Sequence, residues 1–264
     1  MKTEINKFSV LLIGSGRVAN HIAKRLVHNN VCISLVVSRS LENAQKLADK
    51  IGAKASTVIP ENTKSFDFII ISVNDDAYEK CIFQLINNQN SIILHTSGSL
   101  GLDIFPKTIA NYGVLYPFQT FSMEREVDFS TISVMIEANT KINLIKIREL
   151  ALALSPEVVE VNSEQRAKIH IAAVLVCNFV NYLYVEAETL LKQNNIDFSI
   201  LHSLMRETTQ KAIEISPAKA QTGPAVRNDQ KIINKHLSLI TDDKLRDLYQ
   251  KFSNLIIEKK NKND

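Results

Sequence analysis

The residues with the clearest chemical signature form a G-x-G-x-x-A pattern at positions 14–19, directly after the apolar run at residues 10–13. Gly14 permits a sharp turn, Gly16 lets the backbone approach a pyrophosphate, and the small Ala19 lets the following helix pack closely on its strand. The free N–H groups and the dipole at the start of that helix favour an anion by ~0.3–1 kcal/mol. We therefore expect a dinucleotide site; the alternative is a glycine turn that holds no ligand. The expected contacts are Gly14, Ser15, Gly16, Arg17 and Val18.

The tip of the second predicted strand, residues 31–38, carries the sequence Ser38-Arg39-Ser40. In a dinucleotide fold this tip faces the adenosine ribose, where a carboxylate accepts hydrogen bonds from a free 2′-hydroxyl and an arginine pairs with a 2′-phosphate. The first carboxylate, Glu42, comes only after the tip. Ser38, Arg39 and Ser40 therefore favour NADP over NAD as the cofactor. The alternative for Arg39 is a solvated charge at the start of a helix.

Further polar residues follow the other predicted strands. Ligands of open α/β sheets bind beyond the carboxyl ends of the strands, which places Val73, Asn74 and Thr96 among the expected cofactor contacts. Ser97 follows Thr96 and is expected nearer the nicotinamide, where its hydroxyl could polarise a substrate. The alternative for each of these residues is ordinary turn chemistry, which Asn, Ser and Thr supply in any case.

A long apolar segment holds two more candidate catalytic residues, His170 and Asn178. Histidine is the natural proton donor near neutral pH for a carbonyl or imine that receives hydride. On a helix, His170 and Cys177 share one face, and Asn178 lies in the neighbouring strip, ~12 Å from His170 along the axis. Both could border one pocket and polarise or protonate a substrate together with Ser97. The alternatives are a structural histidine and amides that hold helices together.

The loop at residues 222–229 offers one further candidate, Arg227. Its guanidinium could clamp a substrate carboxylate. It could as easily be a surface residue, with Asn228 or Asp229 capping the last helix.

Strands and helices alternate up to residue 161, which indicates a doubly wound, mostly parallel Rossmann sheet. The expected strands are residues 10–13, 31–38, 66–73, 91–95, 113–116, 131–137 and 158–161. After residue 162 no strand pattern follows, and the apolar spacing becomes helical. We therefore expect an α/β protein of two domains: an NADP-binding Rossmann domain at 1–162 and an all-helical domain for substrate binding and dimerisation at 163–264.

The composition is that of an ordinary globular protein, with 264 residues, 22% charged residues and a net charge of +3. No basic stretch is dense, so neither nucleic acid nor an anionic membrane is an expected partner. Residues 1–7 lack the apolar core of a secretory signal, which makes the cytoplasm the default location. His170, Asn178 and Asn181 interrupt the apolar residues 169–185, and we expect a buried helix of a soluble protein there.

The three cysteines, Cys32, Cys81 and Cys177, lie far apart, each in an apolar segment. Because the C-x-x-C spacing is absent, we expect neither a zinc site nor a disulfide framework. Each cysteine is expected to be a small core residue.

Several motifs together resemble those of a known group over most of the chain: the glycine motif, residues 38–40, 95–98, 116–121, 170–178 and 222–224. The group comprises Rossmann-like oxidoreductases with a C-terminal helical domain of unknown function, related to pyrroline-5-carboxylate reductase and to deazaflavin-dependent NADP reductases. The resemblance implies an NADP-type cofactor, a helical domain similar to that of 6-phosphogluconate dehydrogenase, and a homodimer formed through that domain.

One feature departs from the related hydroxyacid dehydrogenases and imine reductases. Those enzymes place a catalytic residue and an Asn one turn apart on the central helix, whereas here Ala172 follows Lys168 and Val174 follows His170.

The expected function is an NADP-dependent oxidoreductase that acts on a small carbonyl or imine at the face between the two domains. The competing hypothesis is a non-catalytic NADP(H)-binding sensor or scaffold, since the sequence shows no strong pair of acid and base residues. A third is a reductase that uses a deazaflavin as its electron partner.

Overall fold

The computed structural model describes residues 8–262. The chain divides into two compact units, residues 1–177 and 178–264. The first unit contains one sheet of eight strands in the order β3-β2-β1-β4-β5-β6-β7-β8. Every neighbouring pair is parallel except β6 and β7, which are antiparallel. The strands are β1 Ser9–Ile13, β2 Cys32–Val37, β3 Lys54–Ser56, β4 Phe68–Ile71, β5 Ile92–His95, β6 Tyr112–Pro117, β7 Val134–Ala138 and β8 Val158–Glu160.

The central strands are buried on both faces, as their continuous apolar runs predict. Val10 and Leu12 of β1 belong to one apolar core, and Leu11 and Ile13 belong to the other. The helices of this unit are α1 Arg17–His28, α2 Leu41–Ile51, α3 Tyr78–Phe83, α4 Lys141–Leu152 and α5 Ser163–Ala173. The expected doubly wound Rossmann sheet is confirmed. The short edge strand β3 was not predicted, because its three residues give too little pattern to read.

The register of the sheet decides where the loops gather. Ile13 pairs with Val37 on one side and with Ile71 on the other, and Ile71 pairs with His95. These four residues are the last ones of β1, β2, β4 and β5. The four loops that follow them therefore start at the same carboxyl edge, which is where open α/β sheets bind ligands.

The second unit consists of helices alone among its described residues. They are α6 Val180–Gln193, α7 His202–Ile215, α8 Pro217–Ala220, α9 Gln230–Leu239 and α10 Asp243–Asn261. The only apolar residues buried in the described part of this unit are Ala225, Ile233 and Ile240. A unit with so small a core leaves most of its apolar side chains at least partly exposed.

The long helical stretch Ser163–Gln193 is apolar and long enough to span a membrane by length and composition, with a mean hydropathy of 1.4 in its most apolar window. A π-turn, Val174–Phe179, interrupts it. The sequence predicts that residues 169–185 are buried, but none of that apolar window is buried inside the single chain. The predicted burial therefore requires a contact that one chain does not make by itself.

The prediction that all three cysteines are core residues is wrong. Cys32 is exposed, and Cys81 and Cys177 are only half-buried. Cys32 opens β2, where successive side chains point to opposite faces and the first residue reaches the edge of the core.

Candidate functional site

The glycine turn after β1 has the geometry that its sequence predicts. Gly14 has a φ of +124°, and a Cβ at this position would lie 2.0 Å from the carbonyl oxygen of Ser72. Its N–H donates to the carbonyl oxygen of Val37 at 2.8 Å. Only glycine fits a left-handed backbone this close to a neighbouring strand.

The amino end of α1 is open above this turn. Gly16 stands at the N-cap, so no side chain is available there to accept from the N–H groups of the first turn. A Cβ added at Gly16 would meet nothing within 4 Å among the described residues. Arg17 is exposed beside it. Such a helix start offers unpaired donors and a positive dipole end to an anion.

Asn20, which sequence reasoning overlooked, holds the turn in place. Its side-chain amide donates to the carbonyl oxygens of Ser15 at 2.9 Å and Gly16 at 3.1 Å. Asn20 is 7% exposed, so this clamp lies under the turn and leaves the outer face free. The sequence does contain a sign of this role, because Asn is disfavoured inside helices and Asn20 lies in the first turn of one.

The tip of β2 lies beside the glycine turn. Ser15 Oγ donates to Ser38 Oγ at 2.8 Å. Ser40 Oγ accepts from the N–H of Asn43 and caps α2, and Gly52 ends that helix with a φ of +70°. Ser40 is therefore already engaged as a helix cap. Within residues 8–262, the exposed Arg39 takes part in no salt bridge.

These residues fit a dinucleotide with a 2′-phosphate. The open helix start suits a diphosphate. Arg39 is a cation without a salt-bridge partner in the described residues, and it follows Ser38, whose hydroxyl is bonded to Ser15 of the glycine turn. The predicted contacts from Gly14 to Val18, from Ser38 to Ser40, and at Val73, Asn74 and Thr96 all follow strands that end at this edge.

Thr96 and Ser97 lie buried after β5, and their hydroxyls shape the turn. Thr96 Oγ1 and the phenol of Tyr78 lie 3.2 Å apart. Ser97 Oγ accepts from the N–H groups of Ser99 at 3.2 Å and Leu100 at 3.3 Å. Val73 is half-buried and Asn74 exposed after β4.

His95, which the sequence analysis names only as part of a motif, braces the same turn. Its Nδ1 accepts from the N–H of Ser97 at 3.2 Å. Burial, reinforced by the nearby charge of Arg166, lowers the pKa of His95 to about 3. The imidazole is therefore neutral at physiological pH and acts as an acceptor within the core.

Arg166 fixes the start of α5 against the sheet. It is fully buried, pairs with the carboxylate of Glu137 on β7 and donates to the carbonyl oxygen of Leu100. Ser163 adds to the cluster, because its N–H and Oγ donate to the two oxygens of Glu137 at 2.9 and 2.8 Å. One helical turn after Arg166 comes His170, which this anchor holds at a fixed height above the sheet.

His170 meets Tyr116 at the end of β6. The phenol oxygen lies 3.1 Å from His170 Nδ1, and the rings are tilted by 72°. Gly98 makes room for the pair: a Cβ there would lie 2.7 Å from His170 Nδ1 and 2.8 Å from the Tyr116 oxygen. Both side chains are half-buried. His170 is one of the catalytic residues predicted from the sequence, whereas no role was predicted for Tyr116.

The phenol of Tyr116 is protonated at neutral pH. Burial raises its pKa, Arg166 partly opposes the rise, and Cys177 adds to it.

The other predicted residues belong to the second unit. Asn178 is exposed and lies in the π-turn, a feature often found at functional positions. Arg227 is exposed, Asn228 has a φ of +53°, and Asp229 caps α9 by accepting from the N–H of Ile232 at 3.1 Å.

Two protein families match the chain. Residues 9–97 match the family described as NADP oxidoreductase, coenzyme F420-dependent. Residues 132–256 match a domain of unknown function, DUF2520.

Solved structures share the fold over nearly the whole chain. A Bacteroides fragilis protein assigned as an NADP oxidoreductase is 36% identical with a TM-score of 0.90, and the match covers 97% of this chain and 100% of that one. An imine reductase from Myxococcus stipitatus, solved with NADP⁺, is 14% identical with a TM-score of 0.71 over 95% and 92% of the two chains. A pyrroline-5-carboxylate reductase from Coxiella burnetii is 17% identical with a TM-score of 0.59 over 97% and 98%. The last two similarities concern the fold alone.

The sequence also matches the glutamyl-tRNA reductase of Legionella pneumophila, with 43% identity over 67 residues. The match spans 25% of this chain and only 16% of the length of that curated relative.

Proposed function

Because the chain belongs to the NADP oxidoreductase family that carries the DUF2520 domain, we propose that it reduces a small carbonyl or imine compound with NADPH. The observation that carries this proposal is the common sheet edge. The open start of α1, the cation Arg39 and the phenol of Tyr116, which His170 contacts, follow the carboxyl ends of β1, β2 and β6, and these strands run parallel in one sheet. A cofactor and a substrate bound at this edge would lie side by side.

The cofactor site is proposed at the first two loops. The N–H groups after Gly14 and Gly16 receive the diphosphate, and Arg39 pairs with the 2′-phosphate. Ser15 and Ser38 line the ribose side, and Val73, Asn74 and Thr96 continue the contact surface. When bound, NADPH supplies the hydride.

The substrate site is proposed beside the turn after β5. Ser97 polarises the carbonyl or imine, and His170 takes part in the supply of its proton. The protein itself needs to exclude water from the substrate, orient it and supply one proton.

The second unit supports the proposal of a homodimer. Its described residues bury three apolar side chains, while Phe179, Tyr182, Leu204 and Ile213 are among those more than half exposed. A second copy of this chain is the occupant that would cover the same helices on both partners at once. Light scattering of the purified protein tests this: a dimer supports it, and a stable monomer overturns it. A cytoplasmic location belongs to the same proposal, and soluble expression without detergent tests it.

Two measurements test the proposed function. Fluorescence titration with NADPH tests cofactor binding. Loss of NADPH absorbance is then followed with 2-oxo acids (pyruvate, 2-oxoglutarate) and cyclic imines (2-methyl-1-pyrroline, 1-pyrroline-2-carboxylate). Turnover of a member of the panel supports the proposal. Tight binding with no turnover on the panel favours a non-catalytic sensor instead.

A deazaflavin electron partner is the second candidate, favoured by the description of the family that matches residues 9–97. Anaerobic assay of NADPH with oxidised coenzyme F420 separates the two. Reduction of the deazaflavin, with no turnover of carbonyls and imines, would replace the first proposal.

A further inference from the structure

We propose that Tyr116 is the residue that delivers the proton to the substrate, and that His170 is a positioning residue that orients the phenol and stabilises it once its proton has left. This inference rests on the proposed reduction of a carbonyl or imine and deepens it by dividing the work between two side chains.

His170 Nδ1 is enclosed on two sides. This nitrogen lies 3.1 Å from the Tyr116 oxygen, and the backbone of Gly98 packs so close that a Cβ there would approach it to 2.7 Å. With a phenol on one side and a buried turn on the other, Nδ1 has no room for a substrate atom. Its partner in any proton movement is therefore the phenol.

Tyr116 and His170 are both held on anchored elements. Tyr116 lies on β6 opposite Met135 of β7, and the centroid of its ring is 6.1 Å from that of Phe118. His170 stands one turn after Arg166, whose buried ion pair fixes the helix start. A general acid held by a strand and aligned by an anchored helix meets the geometric demand of proton transfer.

Tyr116 is in the protonation state that a proton donor needs. The groups that face Tyr116 are His170, Arg166 and Cys177, and burial is the largest influence on its pKa, which is raised. The phenol therefore keeps its proton through the physiological range and can donate it. A weak acid suffices, because the oxygen or nitrogen that develops charge as hydride arrives is a far stronger base than water.

His170, in the tautomer with its proton on Nδ1, donates a hydrogen bond to the phenol oxygen and so turns the proton of Tyr116 outward. The O–H bond of Tyr116 breaks, and the new O–H or N–H bond forms on the substrate. The phenolate that remains is held by the Nδ1–H of His170 until solvent returns a proton.

The kinetic test compares Tyr116→Phe and His170→Ala on whichever member of the carbonyl and imine panel the wild type reduces. Loss of a general acid is expected to lower kcat about 100-fold or more in Tyr116→Phe, with NADPH affinity unchanged. His170→Ala is expected to lower kcat about tenfold and to move the alkaline limb of the pH profile to higher pH, because the phenolate loses its donor. Tyr112→Phe, which removes a phenol oxygen from the same strand, is the matched control and keeps the wild-type rate.

A Tyr116→Phe protein with the wild-type kcat overturns the proposal. So does an unmoved pH profile in His170→Ala. A wild-type protein that turns over no member of the panel overturns the proposed function instead, so the two failures are distinct.

A measurement without substrate tests whether His170 affects the titration of Tyr116. NMR of isotope-labelled tyrosine ζ carbons, assigned with Tyr116→Phe, follows the titration of the Tyr116 phenol. We expect its pKa to rise in His170→Ala, and a titration that does not move overturns the role given to His170.

Discussion

Arg166 and Glu137 form an ion pair that joins the first turn of α5 to strand β7, with side chains 1% and 15% exposed. The pair does not stand alone, because Ser163 donates twice to the same carboxylate. The cluster sets the height of His170 above the ends of β5 and β6. Positioning of His170, the residue that orients the candidate acid Tyr116, therefore begins four residues earlier in the chain, at Arg166.

Removing one partner of this pair is expected to be costly. Arg166→Met leaves Glu137 without its cation and is expected to lower the free energy of unfolding by about 3 kcal/mol, measured in urea. Lys168→Met breaks an exposed pair with Glu164 on the same helix, and its cost is expected to stay below ~1 kcal/mol. Equal losses in the two variants would contradict the anchoring role.

His95 makes stability depend on pH in a definite direction. Its pKa is 6.5 in the unfolded chain and about 3 in the fold, so the unfolded state binds more protons between these values. The contribution of a neutral His95 is fully present above pH 6.5 and is lost as the pH falls toward about 3, by up to ~1.4 kcal/mol per pH unit.

The check is the urea unfolding free energy of the wild type and of His95→Asn across this window. Asn offers an acceptor near the position of Nδ1 but does not titrate, so its pH slope should be shallower. The exposed His28→Gln variant is the control and should keep the wild-type slope. Parallel slopes for the wild type and His95→Asn would rule the effect out.

Arg39 is expected to set the choice between the two nicotinamide dinucleotides. Loss of a charge-assisted bond to the 2′-phosphate costs ~1.5–3 kcal/mol, so Arg39→Ala should weaken NADPH about 10- to 100-fold and leave NADH nearly unchanged. Lys46→Ala, at an exposed lysine on the following helix, is the control. Small and equal losses for both dinucleotides would remove the assignment.

The two glycines of the turn are expected to separate fold from binding. Gly14→Ala places a methyl group 2.0 Å from the Ser72 carbonyl oxygen at a φ of +124°, so it should lower the thermal midpoint of unfolding. Gly16→Ala meets open space and should leave stability intact while weakening NADPH, because the methyl group occupies the approach to the helix start. A destabilised Gly16→Ala with normal binding would contradict this division.

The parts of the molecule that could be predicted from the sequence are those with local causes. The turn at Gly14 and Gly16, the cap at Ser40 and the helix end at Gly52 each depend on residues within a few positions of one another. The alternation of apolar strands with helices was enough to predict the sheet.

The parts that could not be predicted depend on long-range pairs. Tyr116 and His170 are 54 positions apart, and only the parallel pairing of β5 with β6 brings the phenol to the turn that the histidine contacts. Arg166 looks like a solvated charge in sequence, since its partner Glu137 lies on another element. The exposure of residues 169–185 was missed because apolar spacing signals a buried face without saying what covers it.

The complex between this protein and NADPH is the premise of both the proposed cofactor site and the proposed reaction. Calorimetric titration of the purified wild-type protein should give a saturable complex with NADPH and a clearly weaker one with NADH. A titration that shows no complex with either dinucleotide would contradict the site at the start of α1, and the proposed reduction with it.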